Sequence, residues 1–134
     1  GAGRVGMHLA PRADAHDLGD LHRADTFGYV AKELGKRGIA FICAREALAA
    51  DSLGPMLKQQ FGGVYISNEK FDKASANQAL ADGIADAVAF GVPFIANPDL
   101  VQRFAADAAL NAAKPELFYA SGKEGYTDYP FLVQ

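Results

Sequence analysis

The chain of 134 residues is half hydrophobic and 22% charged, a composition typical of a single folded globular domain. Its formal net charge of −3 argues against a nucleic-acid partner, because binding to a phosphate backbone requires a basic surface. A single cysteine excludes a disulfide framework and favours a reducing, cytoplasmic setting. No apolar run approaches the ~20 residues needed to span a bilayer, and the N-terminus lacks a signal-peptide pattern, so we expect no membrane partner.

Four short apolar runs predict β-strands at residues 5–9, 39–43, 63–66 and 86–90. None of them alternates between apolar and polar residues, a pattern typical of strands buried on both faces of a parallel sheet. Helical patterns follow the strands at residues 24–37, 54–61 and 72–82, and a fourth helix is predicted after Pro98. Because β and α segments alternate, we predict an α/β fold with a parallel sheet, in one segment spanning residues 1–134 and ending in an ordered loop.

The stretch "ADAVAFGVPFIANPDL" carries a candidate phosphate site. Gly91 removes the side chain where the fourth strand ends, and Asn97 is predicted to cap a helix that has Pro98 at its first position. A strand, a glycine, a short loop and a helix often seat a phosphate, although the same order also serves as ordinary punctuation in α/β proteins.

Other polar residues are expected to have structural roles and no chemical one. His16, Asp17 and Asp20 look like a metal cluster, but residues of this kind in a loop usually face solvent or cap a helix, and we expect no metal. Cys43 lies in a predicted strand and is expected to be buried and packed in the core, not reactive. Arg45 and Glu46, at the end of the same strand, are expected to form a local ion pair.

Four parallel strands can form a small open sheet or half of an eight-stranded barrel. A half-barrel leaves two unpaired edges and an apolar inner face, both of which must be covered. A complete (β/α)8 barrel needs about 250 residues, roughly twice the length of this chain.

Two long motifs favour the half-barrel. Together with the tail "LFYASGKEGYTDYPFL", the stretch around Gly91 resembles the C-terminal part of the old yellow enzyme family, FMN-dependent ene-reductases built on a (β/α)8 barrel. Matching residues are Phe90-Gly91, Ala96-Asn97-Pro98-Asp99-Leu100 and Gly125-Tyr126-Thr127-Asp128-Tyr129-Pro130. Upstream, "RVGMHLAP", "GKRGIAFICARE" and "FGGVYISNEKFDKASA" resemble strands five, six and seven of the family. The resemblance therefore implies the C-terminal half of a TIM barrel, strands 5–8.

This resemblance also implies a set of cofactor-binding residues. Backbone N–H groups after the seventh and eighth strands would hold the FMN phosphate, at Ser67, Asn68, Glu69, Lys70, Gly91 and Val92. His8 would lie at the pyrimidine edge of the flavin, and Arg12 would reach back towards the cofactor. Tyr126 would line the substrate side.

Two positions depart from the family pattern. Val92 stands where most members have an arginine that meets the phosphate, although Lys70 could supply a positive charge instead. His8 stands where members have an arginine beside the flavin, and an imidazole carries its charge only at lower pH.

The implied function is an FMN-dependent NAD(P)H oxidoreductase that reduces activated alkenes, or nitro compounds or nitrate esters, by hydride transfer through flavin N5. The family's substrate-binding residues and proton-donating tyrosine come from earlier strands, so none of the catalytic residues is expected in this segment. We therefore expect the N-terminal half of the barrel as partner, from a separate chain or an absent segment, and little activity from this chain alone.

Two alternatives stay open. One is a stand-alone α/β module that binds a phosphate-bearing ligand without redox chemistry. The other is a homo-oligomer in which two half-barrels pair with each other.

Overall fold

A computed structural model of the protein describes residues 1–12 and 20–133. Its helices and strands alternate as β1 (Gly6–Leu9), α1 (Arg23–Lys36), β2 (Phe41–Arg45), α2 (Gly54–Phe61), β3 (Val64–Asn68), α3 (Lys73–Ala81), β4 (Ala87–Ala89), α4 (Val92–Ala96) and α5 (Leu100–Ala105). Single 3-10 turns lie at Ala2–Arg4 and Pro115–Leu117. Two compact units divide the chain, Gly1–Ala89 and Phe90–Gln134, and each is described by itself.

The first unit contains a parallel sheet with the strand order β1-β2-β3-β4. Each strand lies beside the next strand of the sequence, and α1, α2 and α3 form the connections. A doubly wound open sheet instead reverses its strand order at a switch point. The sequential order is that of consecutive strands in a β/α barrel, so the predicted α/β fold with a parallel sheet is confirmed.

One face of the sheet is covered by α1 and α2. Ile42 and Ala44 of β2 and Tyr65 of β3 point to this face, and all are at most 1% exposed. They pack against Ala31 of α1 and against Leu57 and Phe61 of α2. This apolar layer fixes the sheet, because each buried aliphatic or aromatic side chain contributes about 1.5–3 kcal/mol.

The opposite face of the sheet, called the open face below, remains partly exposed. Phe41, Cys43 and Ile66 are only half-buried, and Val64 is 47% exposed. The prediction that these strands are buried on both faces is therefore wrong for this chain. The reason is that α1 and α2 pack on the other face, where the described core residues of the first unit also lie.

The helix boundaries follow local signals. Asp72, the first residue of the helix predicted over residues 72–82, caps α3: its carboxylate accepts a hydrogen bond from the Ser75 N–H at 2.7 Å, and the Ser75 hydroxyl accepts one from the Asp72 N–H. As predicted, α2 begins at Gly54-Pro55. Gly38, with φ of +64°, follows the end of α1 in a conformation that other residues rarely adopt.

One predicted helix start, in the second unit, is wrong. Asn97 does not cap a helix: it ends α4, in a stretch predicted to be a short loop, and its side-chain amide donates to the Pro93 carbonyl at 2.9 Å. Asp99 is the residue before α5, and its side chain does not cap that helix either. Both side chains are instead used in long-range hydrogen bonds, described below.

Candidate cofactor and substrate site

A polar turn follows β3 at the carboxyl edge of the sheet. Asn68, on the open face, donates from Nδ2 to the Ala89 carbonyl at 2.8 Å and so joins the ends of β3 and β4. Ser67 points to the helix-covered face, where it is 3% exposed. Burial raises the pKa of Tyr65 to about 12. Only the backbone of Ser67, and not its hydroxyl, remains for a ligand on the open face.

Glu69 and Lys70 give this turn its shape. Both are non-glycine residues with positive φ, +103° for Glu69 and +57° for Lys70. Successive backbone N–H groups in such turns can form a concave site for an anion. The backbone of the turn is therefore compatible with the phosphate contact that the resemblance implies for these two residues, and that contact stays a prediction.

The charges around the turn pair differently from the expectation. Arg45 and Glu46 do not form a local ion pair, because neighbouring strand residues point to opposite faces of a sheet. Arg45 Nε lies 2.5 Å from Glu69 Oε2, so Arg45 connects the end of β2 with the turn after β3. Glu46 is buried and accepts hydrogen bonds from the N–H groups of Leu53 and Gly54 at the start of α2.

Arg12 also differs from its predicted role. Its Nε lies 2.9 Å from Glu46 Oε1 and its Nη2 lies 2.6 Å from Asp51 Oδ2. These hydrogen bonds, first to Asp51 and then to Glu46, raise the pKa of Arg12. Arg12 thus ties the end of β1 to the β2–α2 loop instead of reaching for a cofactor.

His8 and Cys43 are neighbours on the open face. They are direct partners in the β1–β2 register, and His8 is exposed. Cys43 is half-buried rather than fully packed, and this burial raises the pKa of its thiol. An imidazole on the open face is compatible with the flavin-edge position that the resemblance implies for His8.

The second unit contains Gly91 and Val92 at the start of α4. A Cβ added to Gly91 would meet no heavy atom within 4 Å, so the backbone here is open to a ligand. Val92 is 48% exposed and offers no charge. An open backbone at Gly91 fits the approach of an FMN phosphate, whereas Val92 adds only its backbone.

An apolar cleft of about 510 Å³ lies in the second unit. Tyr126 lines it and is 53% exposed. The other lining residues are Phe94, Ile95, Pro98, Thr127, Tyr129 and Phe131. A half-exposed phenol in an apolar cleft has the character of a site for a small organic molecule.

A buried polar cluster holds the wall of this cleft, and the sequence analysis did not find it. Asp99 accepts hydrogen bonds from Arg103 Nε at 2.7 Å and from the Leu132 N–H at 2.6 Å. Arg103 also donates to the Pro130 carbonyl at 2.9 Å. Asn97 Oδ1 accepts from the Asn111 N–H at 2.7 Å. The Asn-Pro-Asp motif thus fixes the C-terminal tail, and the spacing of Asp99 and Arg103 by four residues was the available signal.

No metal cluster occurs among the residues that the structure describes. His16 and Asp17 lie outside those residues. Asp20 accepts a hydrogen bond from the His22 N–H at 2.6 Å. Within the same described ranges, none of the helices has the length and apolar character required to cross a membrane.

Comparisons with known proteins identify relatives of the chain. No protein-family model matches it. It is 38% identical over its whole length to 12-oxophytodienoate reductase 1 of Oryza sativa, and 35% identical over 98% of its length to a "Probable flavin mononucleotide-dependent alkene reductase" of Leishmania infantum. Among solved structures, morphinone reductase matches with a TM-score of 0.90 at 40% identity, over 98% of this chain and 37% of that one. The old yellow enzyme of Trypanosoma cruzi matches with a TM-score of 0.89 at 31% identity, over 96% of this chain and 35% of that one.

The fold and these similarities together identify the kind of protein to which the chain belongs. A parallel sheet in sequential order, with one helix-covered face and polar turns at its carboxyl edge, makes this chain part of a β/α barrel. The chain belongs to the old yellow enzyme family, as its motifs indicated. It spans 37–38% of the length of the two curated relatives.

Proposed function

We propose that this chain forms the phosphate-binding part of an FMN-dependent NAD(P)H oxidoreductase that reduces activated alkenes, with nitro compounds or nitrate esters as further substrates. The observation that carries the proposal is the similarity over 98–100% of the chain to proteins named as alkene and 12-oxophytodienoate reductases. When bound, FMN supplies the hydride chemistry between a nicotinamide and an alkene.

The chain's own residues would bind and orient the cofactor. In the first unit, the backbone of Ser67, Asn68, Glu69 and Lys70 would contact the phosphate, and His8 would contact the pyrimidine edge of the ring. In the second unit, the open backbone at Gly91 and Val92 would contact phosphate as well. Tyr126 would orient the substrate from the wall of the apolar cleft.

We further propose that other strands complete the barrel. The half-buried apolar side chains of the open face support this, because an apolar sheet face is stable only when it is covered. The completing strands come from a separate chain or from a further segment, and they supply the residues that bind the alkene and donate a proton. On this proposal the present chain alone is inactive, and its free thiol at Cys43 suits a reducing, cytoplasmic location.

The test is a reduction assay under anaerobic conditions on the protein purified together with the strands that complete its barrel. We expect a yellow preparation whose flavin absorbance is bleached by NADH or NADPH and restored by cyclohexenone. Nitrobenzene and glyceryl trinitrate, added separately in place of cyclohexenone, test the further substrates. A colourless preparation that binds no added FMN would contradict the proposal and would favour a phosphate-ligand module without redox chemistry. Gel filtration of the same sample distinguishes a pair of identical half-barrels from a complex with a different chain.

A further inference from the structure

The ion pair between Arg45 and Glu69 lies at the turn proposed to hold the phosphate. Arg45 is the last residue of β2 and pairs in register with Asn68, the last residue of β3. Its side chain is 48% exposed, while that of Glu69 is only 25% exposed. The glutamate is therefore the less solvated partner, and water alone screens its charge incompletely.

Glu69 is an unfavourable residue for its position on two grounds. Its φ of +103° lies in a region that side chains rarely adopt and that glycine tolerates. In addition, a carboxylate in a phosphate-binding turn would repel a phosphate dianion. The pairing with Arg45 compensates for the second disadvantage, since it supplies an opposite charge in direct contact with the carboxylate.

We propose that Arg45 is a positioning residue of the phosphate site, an inference that rests on the proposed function. By holding the Glu69 carboxylate at the end of β2, Arg45 neutralises it and lets the turn accept a phosphate dianion. Arg45 acts through Glu69, so its contribution depends on the carboxylate being present.

The experiment compares two flavins that differ only in the phosphate. Dissociation constants of FMN and riboflavin are measured by fluorescence titration after flavin removal, on the full chain in the assembly that gel filtration identifies. We expect Arg45→Gln to weaken FMN binding by roughly tenfold and to leave riboflavin binding unchanged. Adding Glu69→Gln to that variant is expected to restore most of the loss, and Arg45→Lys to retain FMN binding.

Matched controls separate this effect from a loss of structure. Arg37, the residue after α1, also forms an ion pair with a glutamate, Glu33 of α1, at 3.1 Å, and Arg37→Gln is expected to change neither constant. Melting curves identify any variant that fails to fold, in which case Arg45→Met, which also removes the charge, replaces Arg45→Gln with and without Glu69→Gln.

The possible results decide between the two levels of the account. An equal loss for FMN and riboflavin, or no loss, would overturn the role of Arg45. A loss specific to FMN that Glu69→Gln does not restore would show direct contact with the phosphate and would also overturn it. If the unsubstituted protein binds FMN no more tightly than riboflavin, the phosphate site itself fails, and this inference fails with it.

Discussion

At the scale of single residues, side-chain direction decides which charges meet. Arg45 and Glu46 are adjacent in sequence, yet they pair with Glu69 and Arg12, which are distant in the chain. Alternation along a strand predicts that the two neighbours diverge, but it does not reveal their partners. Those partners depend on strand register and loop geometry, which the sequence analysis did not determine.

Val92 offers a direct test of the phosphate contact at the start of α4. Its exposed side chain leaves room for a longer one, and a guanidinium can form two charge-assisted hydrogen bonds with a phosphate. We expect Val92→Arg to tighten FMN binding by roughly tenfold or more without affecting riboflavin binding, as measured by fluorescence titration. Val101→Arg, at an exposed valine of α5, is the control. Unchanged FMN affinity in Val92→Arg would remove Gly91 and Val92 from the phosphate site.

At the scale of elements, the sequence predicts most of the sheet and its helices. Apolar runs located all four strands, although β2 begins at Phe41 and not at residue 39. Helical patterns of apolar residues located α1, α2 and α3. The five-residue α4 was missed because its start, at Gly91 and Pro93, also reads as a loop, and because Asn97 resembles a cap while its side chain bonds elsewhere.

The contact between α1 and α2 requires a glycine. A Cβ on Gly35 would fall well inside contact distance of the Phe61 backbone carbonyl at the end of α2. Gly35→Ala should therefore destabilise the fold by about 1–3 kcal/mol, even though alanine favours helices. Gly28→Ala is the matched control: its Cβ would meet only the flexible Met56 side chain at 3.3 Å, and a neutral effect or a gain is expected. Urea denaturation measures both, and equal effects would refute the close helix contact.

Asp86 connects α2, β3 and β4 in a way that depends on pH. Its carboxylate accepts hydrogen bonds from the Tyr65 N–H at 2.8 Å and from Lys58 Nζ at 3.0 Å, and these lower its pKa. Since the folded pKa lies below the unfolded value of about 3.9, the stabilisation is complete above that value and is lost as pH falls through the folded pKa.

We therefore expect Asp86→Asn to lower the urea midpoint at pH 7. The difference from the unsubstituted protein should shrink below about pH 4, because the carboxylate that makes the difference becomes protonated. Urea denaturation across this pH range provides the measurement. A difference that stays constant with pH would show that the charge of Asp86 does not stabilise the fold.

At the scale of the whole molecule, the motifs indicate the family, but they do not show which role each of their residues has. The stretch "IANPDL" is part of the resemblance to the old yellow enzyme family, and in this structure its Asp99 holds the C-terminal tail directly and through Arg103. A motif marks a relationship because its residues are needed together. Which of them contact a ligand and which hold the backbone depends on the direction of each side chain.

The open face of the sheet is apolar and needs a cover. A parallel sheet is normally covered on both faces, and here the row of Phe41, Cys43 and Ile66 is covered only in part. We propose that further strands complete this sheet into a flavin-binding barrel.

Native mass spectrometry of the protein purified under mild conditions tests that claim most directly. We expect an assembly heavier than the 14.2 kDa of this chain, with one FMN per completed barrel that is released on denaturation. A folded, flavin-free species at 14.2 kDa that binds no added FMN would contradict it.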